Sequence, residues 1–167
     1  SPYNKTIVGG IGLDFKNFSL RNIVKRDGWK GLPAGDGQRL TLNYQTTGND
    51  YYSFAFGFSE PWLGGGKPNA LSLRSYYSYR ADGDTGSLKR YGAALGFSHR
   101  PKWLGRATMA HELSDQKYKM DSFDVFDLST GVAENISYQI GLYRNTTKTL
   151  IYPREGYIVK SSFKTTL

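Results

Sequence analysis

The sequence predicts an all-β fold: an antiparallel up-and-down sheet of about eight strands, built like a transmembrane β-barrel. Three observations predict it. Apolar and polar residues alternate with period two over stretches of about ten residues, whereas strands of soluble domains more often run to about five or six. Glycine (20), tyrosine (13) and phenylalanine (9) are abundant among 167 residues, while Leu, Ile and Val are too dispersed to build several amphipathic helices. No apolar run approaches about 18 residues, which excludes a transmembrane helix. A barrel strand shows lipid only alternate residues, so it passes that test.

The first strand, 7–15, rests on Ile11, Leu13 and Phe15. The second, 38–47, sets Leu40, Leu42 and Tyr44 against Arg39, Thr41, Asn43 and Gln45. The third, 51–60, sets Tyr52, Phe54, Phe56 and Phe58 against Ser53, Ala55, Gly57 and Ser59. In the fourth, 70–80, Leu71, Leu73, Tyr77 and Tyr79 oppose Ser72, Arg74, Tyr76, Ser78 and Arg80. The fifth, 88–98, gives Tyr91, Ala93, Leu95 and Phe97 against Gly92, Ala94, Gly96 and Ser98. The sixth, 103–114, rests on Met109, His111 and Leu113. The seventh, 135–146, gives Ile136, Tyr138, Ile140 and Leu142; the eighth, 157–167, gives Val159 and Phe163 against Lys160, Ser162 and Lys164.

The polar face of this pattern carries Arg39, Arg74, Arg80, Arg90, Arg106, Glu112, Lys160 and Lys164. A soluble sheet also has a polar face, so strand length has to arbitrate. About ten residues at roughly 3.4 Å each, tilted by about 40°, rise roughly 26 Å, close to the apolar band of an outer-membrane barrel. In such a barrel Arg39, Arg74, Arg80, Arg106 and Lys160 would face a wet lumen.

If the strands run up and down, alternate connectors lie at one end. The set 48–50, 81–87 and 115–134 sums to −6, and the set 16–37, 60–69, 99–102 and 147–156 sums to +6. One end is acidic and the other basic. The longest apparent loop, 115–134, falls at the acidic end, and outer-membrane barrels place their longer loops outside. The irregular stretch 25–37, with five glycines and prolines, reads as a long turn within one domain spanning 1–167.

The overall charge of +8 raises nucleic acid as a partner. No Lys/Arg run exceeds two residues, so no nucleic acid is expected. Without cysteine there is no disulfide, thiol nucleophile or thiolate metal site. His99 and His111 stand on different strands and read as surface or interface histidines. His111-Glu112 lacks the second histidine of a zinc signature. Gly66-Lys67 is no phosphate loop, because Pro61 occupies the position of the first glycine. The acids cluster in loops. No enzyme, metal or cofactor is expected.

The most distinctive segment is Ser59-Glu60-Pro61-Trp62-Leu63-Gly64-Gly65-Gly66-Lys67-Pro68-Asn69. Pro61 stops ladder pairing, Trp62 suits a membrane–water boundary, and the glycines permit a tight return. Taken alone, a strand-end turn accounts for it. The segment resembles the EPW/NPY signature of the BamA-like outer-membrane assembly family, here carried by Glu60, Pro61, Trp62, Leu63 and Gly64. The run Gly12 to Asn22 (GLDFKNFSLRN) is similar to an early barrel strand of that family with its Asn-Phe turn. Tyr152-Pro153-Arg154-Glu155-Gly156 resembles its P-x-x-G turn. The matches stand in the family's order.

The resemblance implies a sixteen-stranded barrel preceded by periplasmic POTRA domains. On that expectation this chain is the N-terminal half of the barrel, strands two to nine, an open partial barrel of about eight strands. The POTRA domains, the second half with its RGF-type loop, and the gate-forming first strand lie outside it. The implied function is folding and inserting client outer-membrane proteins in Gram-negative bacteria. The implied partners are outer-membrane lipids, client β-barrel proteins and accessory assembly lipoproteins. Two alternatives stay open on the sequence: a passive porin or transport barrel, and a soluble carbohydrate-binding β-sandwich.

Overall fold

The computed structural model describes residues 8–23, 25, 33–66, 68–82, 86–105, 107–121, 130–146 and 157–166. It contains eight strands: β1 (Val8–Phe18), β2 (Gln38–Thr47), β3 (Tyr51–Glu60), β4 (Ala70–Asp82), β5 (Gly86–His99), β6 (Thr108–Asp121), β7 (Gly131–Asn145) and β8 (Ile158–Thr166). They form one sheet in sequence order, and every neighbouring pair is antiparallel. β1 and β8 do not pair with each other, so the sheet is open. The two-layer sandwich considered from sequence has no counterpart among the described strands.

Register fixes the faces, because directly paired residues point the same way. One row runs Phe15–Leu40–Phe58–Leu73–Leu95–Leu113–Tyr138 across seven strands. The next row runs Asp14–Thr41–Gly57–Arg74–Ala94–Ser114–Ser137 on the opposite face. Apolar cross-strand pairs such as Leu42–Phe56 and Phe58–Leu73 each favour this register by about 0.2–1 kcal/mol. Among the described residues no second layer covers the apolar face. Ile11, Phe54, Leu95, Leu113 and Phe163 are all exposed there. Such a surface is stable in lipid and a liability in water.

The polar face is the concave one. Side chains of next-but-one strands meet on it, as Arg74 of β4 does with Glu112 of β6, and Ser78, Ser137 and Met120 are buried there. β5 makes that contact possible, since its inward residues from 92 to 98 are the small Gly92, Ala94, Gly96 and Ser98. A Cβ on Gly92 would sit 2.8 Å from a Tyr76 ring carbon and from the Asp115 carbonyl oxygen. The ring of Tyr76 therefore lies where a β5 side chain would otherwise stand.

β1, β4, β5 and β8 differ from the sequence expectation by one to three residues at their ends, and two strands differ by more. β6 starts at Thr108 instead of 103 and continues to Asp121, and β7 starts at Gly131 instead of 135. Residues Lys102–Leu104 form a single 3-10 turn between Pro101 and Gly105, whose φ is +64°. Much of the expected loop 115–134 is therefore strand, where outward Asp115 and Lys117 pair with Ile136 and Glu134. Loop length therefore does not mark the acidic end as the outer one. The longest connector is 19–37, at the basic end. The charge polarity survives the new boundaries. The connectors 48–50, 83–85 and 122–130 hold four acids and no base, whereas 19–37, 61–69, 100–107 and 146–157 hold ten bases and three acids.

Candidate functional site

Two regions collect the residues singled out by sequence: the concave wall and the turns of the basic end. On the wall, the Arg39 guanidinium of β2 donates to both carboxylate oxygens of Asp14 on β1, at 2.9 and 2.8 Å. Arg74 reaches over β5 to the Glu112 carboxylate. Arg39 and Arg74 border one hollow of about 320 Å³, floored by Gly57, Ser59 and Ser72. Arg80 lies further toward the acidic end, in register with Tyr51 and Leu88. Lys160 lies near the basic end with its ammonium 5.6 Å from the Tyr143 ring centroid. Register places Arg39, Arg74, Arg80 and Lys160 on one face, but only the first two share a hollow. Arg106 lies outside the described residues.

At the basic end, Pro61 follows the last residue of β3 and the chain turns through Trp62, Leu63, Gly64 and Gly65. The Gly65 amide donates to the Trp62 carbonyl at 2.8 Å, and the Leu63 amide to the Asn69 carbonyl at 2.8 Å. Gly64 and Gly65 have φ of +83° and +73°, a region open to glycine at little cost. Glu60 ties this turn to the rest of the end. One carboxylate oxygen accepts from the Trp62 amide at 3.0 Å. The other accepts from the Gln38 side-chain amide at 2.6 Å. Gln38 in turn accepts from the Leu20 amide through its own side-chain oxygen, at 2.8 Å.

That relay continues into the β1–β2 turn. The Ser19 hydroxyl donates to Asp36 at 2.5 Å and accepts from the Asn22 amide at 3.1 Å. Arg21 pairs with the same Asp36 carboxylate at 2.9 Å. Asn17 receives the Gly37 amide at 3.0 Å. Phe18 and Ser19 are buried beneath these bonds. The Asn-Phe segment and the Glu-Pro-Trp segment, some forty residues apart, thus form one hydrogen-bonded structure. Sequence reasoning missed Gln38 and the role of Glu60. The available signal was a polar pair at outward-facing strand ends, where alternation calls for apolar residues.

Neither region converges nucleophile, base and oxyanion donors on one point. The geometry is that of a wall and a clamp. The family comparison adds the deciding observation: the model of the Omp85 superfamily domain matches residues 34–167, from the second strand to the end of the chain. The chain belongs to the Omp85 superfamily. No match was found among curated proteins or among solved structures. Omp85 proteins are bacterial or organellar outer-membrane barrels that insert or transport proteins without enzymatic chemistry. The uncovered apolar face is the surface such a barrel turns to lipid. The match takes in Glu60, Pro61 and Trp62 and the concave arginines, and it begins after Asn17 and Phe18.

Proposed function

We propose that this Omp85 chain is the N-terminal half of a BamA-like barrel, strands two to nine, that folds and inserts client β-barrel proteins into the Gram-negative outer membrane. In this reading residues 1–167 are one partial barrel domain. POTRA domains and the remaining strands belong to other parts of the same protein. Arg39, Arg74, Arg80, Arg106 and Lys160 line the wet lumen. Clients and accessory assembly lipoproteins are the protein partners, and outer-membrane lipids surround the apolar face.

The observation that carries the reading is the turn of Glu60, Pro61 and Trp62, which lies within the Omp85 match and is tied through Gln38 to the Asn17-Phe18 turn that precedes it. A porin wall needs strands and short turns, but not this linkage. The mechanism requires no covalent step. An edge strand presents a row of unpaired N–H and C=O groups, and an incoming strand can pair with them. A barrel that opens at one seam offers such an edge, and the seam lies outside the strands described.

The test is reconstitution of the full-length protein in liposomes with an unfolded client barrel. Assembly predicts a protease-protected, heat-modifiable client and little flux of small solutes. Rapid solute flux without client insertion would replace this reading with a passive transport barrel.

A further inference from the structure

The outward face of β6–β8 is not a uniform apolar wall at its basic end. Met109, Ile140, Leu142 and Phe163 form a floor there, and Trp103 and Leu104 of the Lys102–Leu104 turn stand beside it. Ser161, the register partner of Leu142, is the small residue that leaves the floor recessed. The hollow measures about 260 Å³. Trp103 is 76% exposed, so its ring forms a rim.

The chemistry changes within one step along β7. Outward parity passes from Leu142 to Arg144, about 7 Å further toward the basic end. The Arg144 guanidinium lies 5.5 Å from the Tyr157 ring centroid. Lys102 adjoins Trp103 in the turn. Among the described residues no carboxylate forms an ion pair with Lys102 or Arg144. Apolar recess, aromatic rim and cationic head follow one another in the order of an acyl chain, an interface and a phosphate.

We propose that this recess holds one anionic phospholipid of the leaflet at the basic end, with an acyl chain on Leu142, Ser161 and Phe163 and the headgroup phosphate between Lys102 and Arg144. The site rests on the membrane-barrel reading. A zwitterionic lipid offers the same chain but no net charge. Each basic residue near an anionic surface contributes roughly a fivefold preference. Tryptophan at this level anchors the boundary.

The full-length protein in phosphatidylcholine vesicles, with trace spin-labelled phosphatidylglycerol or phosphatidylcholine, provides the test. A motionally restricted component is expected for both probes, with phosphatidylglycerol favoured by about fivefold or more. Lys102→Gln with Arg144→Gln should bring the ratio close to one, and Arg144→Lys should keep it. Ser161→Trp fills the recess without changing charge and should also abolish the preference. Lys25→Gln, elsewhere at the basic end, should leave it. These side chains are exposed, and retained heat-modifiable mobility on gels confirms a folded barrel. A preference that survives either Ser161→Trp or the Lys102/Arg144 double change overturns the site. Restricted lipid with no preference in the unmodified protein does so too, whereas no restricted lipid of either kind overturns the membrane reading itself.

Discussion

β2 and β3 have ten residues each, whereas β5, β6 and β7 have 14, 14 and 15. The outward face of the short pair is apolar from Leu40 to Tyr44 and from Phe54 to Phe58. The outward face of the long strands begins the same way at the basic end and then changes. Beyond Leu113 it carries Asp115, Lys117 and Lys119, and beside them Lys89 and Glu134. Fourteen residues at the same tilt rise about 36 Å, roughly 10 Å beyond the height of ten. Lys117 bonds Glu134 at 2.8 Å on this extension. The short strands therefore end with the apolar band, and the long ones continue past it. Hydrogen bonding and lipid contact are separate reasons for a strand to exist, and only the first extends the full length of β6.

The strongest challenge to that contrast is one arginine placed at two heights. Phe56→Arg, mid-strand on β3, should destabilise the full barrel by about 2–4 kcal/mol, whereas Val132→Arg on the extension of β7 should cost about 0–1 kcal/mol. Val132 also faces outward, so burial does not separate the two positions. Urea unfolding in bilayers measures both, and equal costs would remove the height difference. The next effect concerns the clamp below the short strands. Glu60→Ala removes a charged acceptor from the Trp62 amide and from Gln38, and should cost about 1.5–3 kcal/mol. A wild-type unfolding midpoint for Glu60→Ala would show that the turn holds without it.

A smaller loss should follow from Gly92→Val, because a branched side chain there collides with the Asp115 carbonyl and the Tyr76 ring. Overpacking of this kind costs about 1–3 kcal/mol. Gly131 gives the comparison, since a Cβ added there would meet nothing within 4 Å: Gly131→Ala should leave the midpoint in place. The least effect is expected from Lys117→Gln. The ion pair it breaks stands in water beyond the band, and Glu134 stays solvated when it is gone. A clear drop in stability would return that part of β6 to the membrane.

The same contrast explains what is legible in the sequence. The bounds of β2 and β3 can be read to the residue, because their alternation is unbroken and ends at Gly48-Asn49 and Pro61. Those of β6 and β7 cannot, because polar residues occupy both faces once the strand leaves lipid, and period two disappears while the ladder continues. Trp103 and Leu104 draw residues 103–107 into an expected strand, although Pro101 and Gly105 bracket a turn. The faces of Arg39, Arg74, Arg80 and Lys160 follow from parity alone. The Arg74–Glu112 contact does not, since it depends on curvature and on the small inward residues of β5, Ala94 and Gly96. The clamp is illegible for a related reason. Leu20, Gln38 and Glu60 come from separate segments, and no local pattern announces that they meet.

The clamp has a consequence for alignment. A slip of one residue between β2 and β3 turns every phenylalanine of β3 inward, so odd slips are forbidden by hydrophobicity. A slip of two residues keeps Phe54, Phe56 and Phe58 outward, and the alternating pattern is blind to it. It would, however, carry Glu60 away from Gln38 and so part the Trp62 turn from the Leu20 turn. Alternation sets the parity of the pairing, and one carboxylate at the strand end sets its phase.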